Sequence, residues 1–198
     1  ATDKNYIRYF LRRAKGFYDV VCYVGTGSGT TFNHNLGVTP ELMWIKARSG
    51  AADQWVIWDK NADLSTTTPL FSDFTQARRY NKLSVNSTAP TASVFSVGPA
   101  GYSTNTSGVS YIVYLFASVA GISKIGTYSG TGSNVNVDCG FSAGARFVLI
   151  WRTDSSGPGW YVYDSARGIV AGNDPYSLLG SNAAEVTNTD YIDPLNAG

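Results

Sequence analysis

The chain repeats itself. Displaced by 105 residues, positions 6–59 lie on positions 111–164 without a gap, and twelve of those 54 positions are identical. Unrelated sequence with this skewed Gly, Ser and Thr usage would match at roughly four. The identities include Tyr6/Tyr111, Ile7/Ile112, Tyr9/Tyr114, Gly25/Gly130, Gly27/Gly132, Trp55/Trp160 and Asp59/Asp164. Many other positions keep their character, as in Leu36/Phe141, Leu42/Phe147, Met43/Val148 and Trp58/Tyr163. A repeat of this period divides the chain into two related units of about 100 residues each. The expected units are residues 1–110 and a shorter second unit at 111–198.

Each unit reads as a meander of short strands. Residues 6–11 (YIRYFL) and 111–116 (YIVYLF) are β-branched and aromatic, with Ile7, Tyr9 and Leu11 on one face. Lacking the Arg8 charge, 111–116 could be buried on both faces. Residues 17–24 alternate as a second strand, echoed at 122–129, and each is closed by Gly-Thr-Gly-Ser. Short strands are expected around Phe32 and Val137, and the strongest at 42–48 (LMWIKAR) and 147–153 (FVLIWRT). Residues 55–58 and 160–163 follow, each ending in Asp, then 93–97, loosely matched near 191–192. The expectation is all-β: two tandem antiparallel β-sandwich-like modules.

The phase of the repeat adds a second expectation. The Tyr-Ile-x-Tyr strand opens the chain, recurs at 111 and does not occur a third time. If it closes the unit before it, residues 6–11 are the last strand of an upstream copy, and the second unit is incomplete at its C-terminal end. A piece of a longer array, or a strand exchanged between neighbours, are both consistent with this. Either way an adjacent chain or module would fill the unpaired edges.

Charge restricts the function classes. Only 15% of residues are charged and the net charge is +1, so nothing favours nucleic acid or an anionic membrane. The longest apolar run, 111–122, is too short to span a bilayer. Cys22 and Cys139 are not repeat equivalents, their counterparts being Thr127 and His34, so two free thiols are expected.

The repeat also sorts the candidate residues. Asp59 and Asp164 recur, but equivalent positions in two modules should lie too far apart for a catalytic carboxylate pair. They read as strand-end caps of turns. Gly25 and Gly27, with Gly130 and Gly132, superficially resemble a phosphate loop, but strands are expected on both sides, which makes them hairpin turns. His34 is the only histidine and reads as a polar loop residue; no metal, cofactor or catalytic set is expected. The basic runs Arg12-Arg13-Ala14-Lys15 and Arg78-Arg79 read as solvated edges, with anionic glycan as the sharper alternative. Asn86-Ser87-Thr88 and Asn105-Thr106-Ser107 match the glycosylation sequon, a common triplet in such a composition.

The aromatics are the most arguable functional feature. Trp44 and Lys46 share one face of their strand, and Trp151 takes the Lys46 position in the second unit. With Trp55 and Trp160 they form a candidate sugar-stacking platform, flat apolar sugar faces resting on rings. The alternative places the same rings in a core or a subunit interface.

Residues 121–138 (GISKIGTYSGTGSNVNVD), 139–152 (CGFSAGARFVLIWR), 164–176 (DSARGIVAGNDPY) and 17–46 resemble a repeat module of long tail-fibre-like structural proteins of bacteriophages, notably marine ones. The resemblance implies a virion or extracellular structural protein that contributes to host-surface attachment, self-associated and joined to other virion proteins. Trimers are the habit of such fibres. It supplies no catalytic residues. The function expected is non-enzymatic, multivalent attachment to host surface glycans. A purely architectural virion protein, a capsid decoration or fibre shaft, is the alternative, and a polysaccharide depolymerase the third.

Overall fold

The computed structural model describes residues 7–50, 55–61, 82–152, 159–179, 181–193 and 198. Among them the fold is all-β, with strands β1 (Tyr18–Val24), β2 (Thr30–Asn33), β3 (Leu42–Ala47), β4 (Val56–Asp59), β5 (Val94–Val97), β6 (Ser110–Phe116), β7 (Phe147–Ile150), β8 (Trp160–Asp164) and β9 (Ser177–Leu179). One 3-10 turn, Lys82–Val85, precedes β5. The strands form three antiparallel sheets, ordered β1-β6-β3-β4, β2-β5 and β7-β8-β9.

The first two sheets enclose one core. On β6 the side chains alternate: Tyr111, Val113 and Leu115 are fully buried, while Ile112, Tyr114 and Phe116 are half-buried on the opposite face. Alternation at period two is what a strand covered on one face dictates. It settles the open question of whether 111–116 is enclosed on both faces. The buried set meets Met43 and Ile45 from β3, Val56 and Trp58 from β4, and Phe95 and Val97 from the smaller sheet. Three rings interlock there, with Tyr23 stacked on Tyr111 at 5.2 Å and tilted against Phe32 at 4.3 Å. The Tyr23 hydroxyl donates to the Thr104 carbonyl at 2.6 Å, and burial pushes its pKa far up.

The repeat period and the sheets divide the chain at different points. The strand that opens the second copy in sequence, β6, is hydrogen-bonded inside the first sheet, between β1 (Val20↔Tyr114) and β3 (Trp44↔Tyr114). Its counterpart at the start of the chain is not a strand where it is described: residues 7–11 join no backbone ladder among the described residues. That corrects the expectation for residues 7–11; Tyr6 lies outside the described residues.

β7 and β8 reproduce β3 and β4 at the same 105-residue offset, and the flanking bond recurs too: Lys60 N–H to Glu41 O at 2.8 Å, Ser165 N–H to Arg146 O at 2.9 Å. The strands expected at 122–129 and around Val137 do not form. The cause is connectivity. In the first sheet β1 is held only through β6, and β2 only through β5. The second copy has no described strand in either place, so its β1 and β2 equivalents have nothing to pair with. The strand expected near 191–192 is also absent; the amides of Tyr191 and Ile192 donate instead to the buried Asp174 carboxylate, both at 2.9 Å.

The two Gly-Thr-Gly-Ser turns differ for the same reason. The first is docked on the loop before β6, through Thr26 N–H to Asn105 Oδ1 (2.7 Å) and Asn105 Nδ2 to Ser28 O (2.6 Å). Asn105 is fully buried, which removes it as a glycosylation acceptor in the folded chain. A Cβ on Gly25 would overlap the Thr106 carbonyl oxygen, whereas one on Gly130 meets nothing within 4 Å. Gly25→Ala is therefore expected to cost about 2–4 kcal/mol, and Gly130→Ala less than about 0.5 kcal/mol. Chemical denaturation of the two variants checks this difference.

Candidate functional site

The outer face of the first sheet carries the rings. Trp44 alternates with the core residues Met43 and Ile45 on β3, and Tyr114 and Phe116 alternate with Val113 and Leu115 on β6. Period two therefore sets an aromatic surface back to back with the core. Trp55 lies over Tyr114 (6.2 Å, 26°) and edge-on to Trp44 (6.4 Å). Trp44 also meets Phe116 edge-on at 5.4 Å, and Tyr18 stacks on Tyr114 at 6.4 Å. The Lys46 ammonium stands 5.9 Å from the centre of the Trp55 ring, a cation–π distance. The rings of Tyr18, Trp44, Trp55, Tyr114 and Phe116, with Tyr9, Phe10 and Leu11, bound an open cleft of about 460 Å³.

Trp44, Lys46, Trp55, Trp151 and Trp160 are all drawn to this neighbourhood, in two different settings. Trp44 and Trp55 line the cleft and also pack against the cluster that joins the copies. Trp160 is buried and Trp151 half-buried; they stack on each other at 5.1 Å, and Trp160 reaches Trp44 at 6.2 Å. Together with Ile57, Leu42, Leu149 and Leu179 they join the first sheet to the third. Because Leu149 is the repeat equivalent of Trp44, and Trp160 of Trp55, the two copies meet through equivalent faces. The Trp160 indole N–H has no hydrogen-bond partner among the described residues.

Tyr18, Tyr114 and Phe116 were not singled out in the sequence, although they line the cleft. The signal was available: 111–116 alternates, and once Tyr111, Val113 and Leu115 face the core, Tyr114 and Phe116 must face away from it. What the sequence did not say is that β6 sits next to β3.

Asp59 and Asp164 end equivalent strands and hold equivalent turns. Asp59 Oδ1 accepts the Asn61 amide at 2.9 Å; Asp164 Oδ1 accepts those of Ala166 and Arg167, both at 2.9 Å. Asp164 has a further role. Its Oδ2 accepts from the Tyr9 hydroxyl at 2.5 Å and pairs with the Arg167 guanidinium, which also donates to Tyr9 (2.7 Å) and Glu185 (2.6 Å). Tyr9 packs edge-on against Phe147 at 5.1 Å. This knot fastens the start of the chain to the third sheet. Burial by itself raises the Asp164 carboxyl pKa, but the hydrogen bonds from Tyr9 and the turn amides and the Arg167 charge outweigh it and hold it below the ordinary 3.8. Asp19 is held low in the same way, burial being outweighed by the Asn35 amide and Arg13.

The remaining candidates have structural surroundings. Leu36 N–H donates to His34 Nδ1 (3.2 Å), so Nε2 carries the proton and donates to the Thr91 carbonyl (3.1 Å). Arg13 is paired with Asp19, and Arg78 and Arg79 lie outside the described residues. Neither cysteine is in a disulfide, and no group of three metal-ligating side chains occurs among the described residues. No described helix is long and apolar enough to cross a membrane.

Fold and site together define an all-β repeat protein whose two copies join through a tryptophan cluster beside an aromatic cleft. The chain belongs to the family described as a domain of unknown function, DUF7483, which matches residues 11–198. No curated protein and no solved structure matches it.

The Asp164 knot predicts a pH dependence. A carboxylate with a depressed folded-state pKa contributes stability above its unfolded value, and the contribution is lost as pH falls through the folded value. Asp164→Asn should lower stability by about 2 kcal/mol at pH 7. The gap to the unmodified chain should narrow below about pH 4. Thermal midpoints of both chains between pH 7 and pH 2.5 measure it.

Proposed function

We propose that the chain is a structural module of a virion or extracellular appendage, of the tail-fibre kind its sequence resembles, which attaches to host-surface glycans without catalysis. The aromatic cleft is the observation that carries this reading. Trp55 and Tyr114 present near-parallel rings, and Tyr18 continues the row. A pyranose ring has one apolar C–H face that rests on such a surface, while the Tyr114 hydroxyl serves the sugar oxygens. Single sites of this type bind weakly, and repetition along a fibre multiplies them into useful avidity.

A specific observation favours the architectural alternative for two of the rings. Trp151 and Trp160 are consumed in joining the copies and are not in the cleft. The two roles separate by mutation. Trp55→Ala should abolish glycan binding on an array of host-surface polysaccharides by the fraction that remains folded, because Trp55 also packs against the junction. Trp151→Ala should lower stability by about 1–3 kcal/mol and leave binding by the folded fraction intact. If the unmodified chain, presented multivalently, binds no host surface or glycan, the adhesive reading is wrong and the architectural one replaces it.

A further inference from the structure

We propose that the outer edge of β7 is an acceptor for a Tyr-Ile-x-Tyr strand, supplied by residues 6–11 of a second copy of this chain through antiparallel β-augmentation. Among the described residues β7 is an edge strand, paired with β8 alone. Its repeat equivalent β3 is not an edge: β6, carrying Tyr111-Ile112-Val113-Tyr114, lies along it. The first sheet therefore displays, within this same chain, the strand that the third sheet lacks.

The second copy is correspondingly uncovered. Met43 and Ile45 are fully buried, but their equivalents Val148 and Ile150 are only half-buried, and Phe147 is 48% exposed. Tyr128 is 52% exposed where its equivalent Tyr23 is 7%. Residues 123–129 form no strand because their counterpart β1 reaches its sheet only through β6. One added strand would answer all three.

The donor's backbone is equally unpaired, although the Tyr9 side chain is bound to Asp164 and Arg167. Residues 7–11 form no ladder, and Phe10 is 86% exposed. Within one chain this segment is committed elsewhere: Phe10 and Leu11 lie over the outer face of the first sheet, and Arg13 is anchored to Asp19. Tyr9 touches Phe147, but no backbone bond joins it to β7. A second copy carries the same tethers, so donation is an exchange: its residues 7–11 leave their own first sheet, and its Tyr9 takes the place beside Phe147 and Asp164 that the chain's own Tyr9 otherwise fills. The β6–β3 register (Phe116↔Leu42, Tyr114↔Trp44) transfers to Leu11 opposite Phe147 and Tyr9 opposite Leu149. Main-chain hydrogen bonds give such a contact its affinity, and alternate side chains give its register.

The test uses the full chain and a labelled peptide of residues 5–13 (NYIRYFLRR), which its three arginines keep soluble. Saturable binding is expected by fluorescence anisotropy with a Kd below about 100 µM. A peptide with proline in place of Tyr9 has lost a ladder donor and should bind at least about tenfold more weakly. Phe147→Lys, at an exposed edge position, should weaken binding while far-UV circular dichroism stays unchanged. Peptide should also dissolve self-association of the chain in sedimentation equilibrium, and protect the amides of 123–129 from exchange. A chain that stays monomeric and binds no peptide up to about 1 mM overturns the proposal. Equal binding of the proline peptide overturns it as well, because the contact would then be apolar adhesion and not strand addition.

Discussion

Seven residues of β6 need a hydrogen-bonded neighbour on both sides, and the first sheet exists because they have one. β1 reaches the sheet only through β6, and β3 and β4 form a two-stranded ribbon without it. A two-stranded ribbon is marginal in water; three or more strands with an apolar face are not. β6 supplies both the missing ladders and the centre of the apolar face, through Tyr111, Val113 and Leu115. The Tyr111 hydroxyl also accepts the Thr106 amide at 3.0 Å, fixing the turn that leads into the strand. Its outward side chains then determine where the aromatic cleft lies.

The second dependence is the junction between the copies. Two sheets that expose the same face to one another meet as a pseudo-symmetric pair, so a substitution at one repeat position has an answer across the interface. Trp44 faces Trp160, and Leu42 and Leu149 fill the space beside them. Trp151, where the first copy has Lys46, widens this apolar contact on one side, while Lys46 stays over Trp55 on the other. The asymmetry leaves one copy's surface open as a cleft and closes the other's.

Much of the architecture was legible in the residues. The apolar strands 42–47 and 147–150, the paired aromatic strands ending in Asp59 and Asp164, and the turn glycines all follow from local chemistry that the chain states twice. Trp44, Trp55, Trp151 and Trp160 were recognisable as a group because the repeat places them on equivalent faces. What could not be read was dependence between distant segments. Residues 122–129 are the repeat equivalents of 17–24, more polar but with Ile122, Ile125 and Tyr128 kept at apolar positions, yet only one of the two has a neighbour to pair with. Buried polar groups were equally hidden: Asp19, Asn105 and Asp174 look like ordinary polar residues, and each instead holds backbone amides or carbonyls of another loop, those of Asn35, Ser28 and Tyr191. The Tyr9–Asp164–Arg167 knot joins residues 155 apart in sequence.

Native-state hydrogen exchange tests the central role of β6 most directly. If both sides of β6 carry the sheet, the amides of Ile112, Val113 and Tyr114 open only with global unfolding, together with those of β3, and those of 123–129 exchange far faster despite being the repeat equivalents of β1. Exchange of the β6 amides at loop-like rates, with β3 and β4 still protected, would contradict the account.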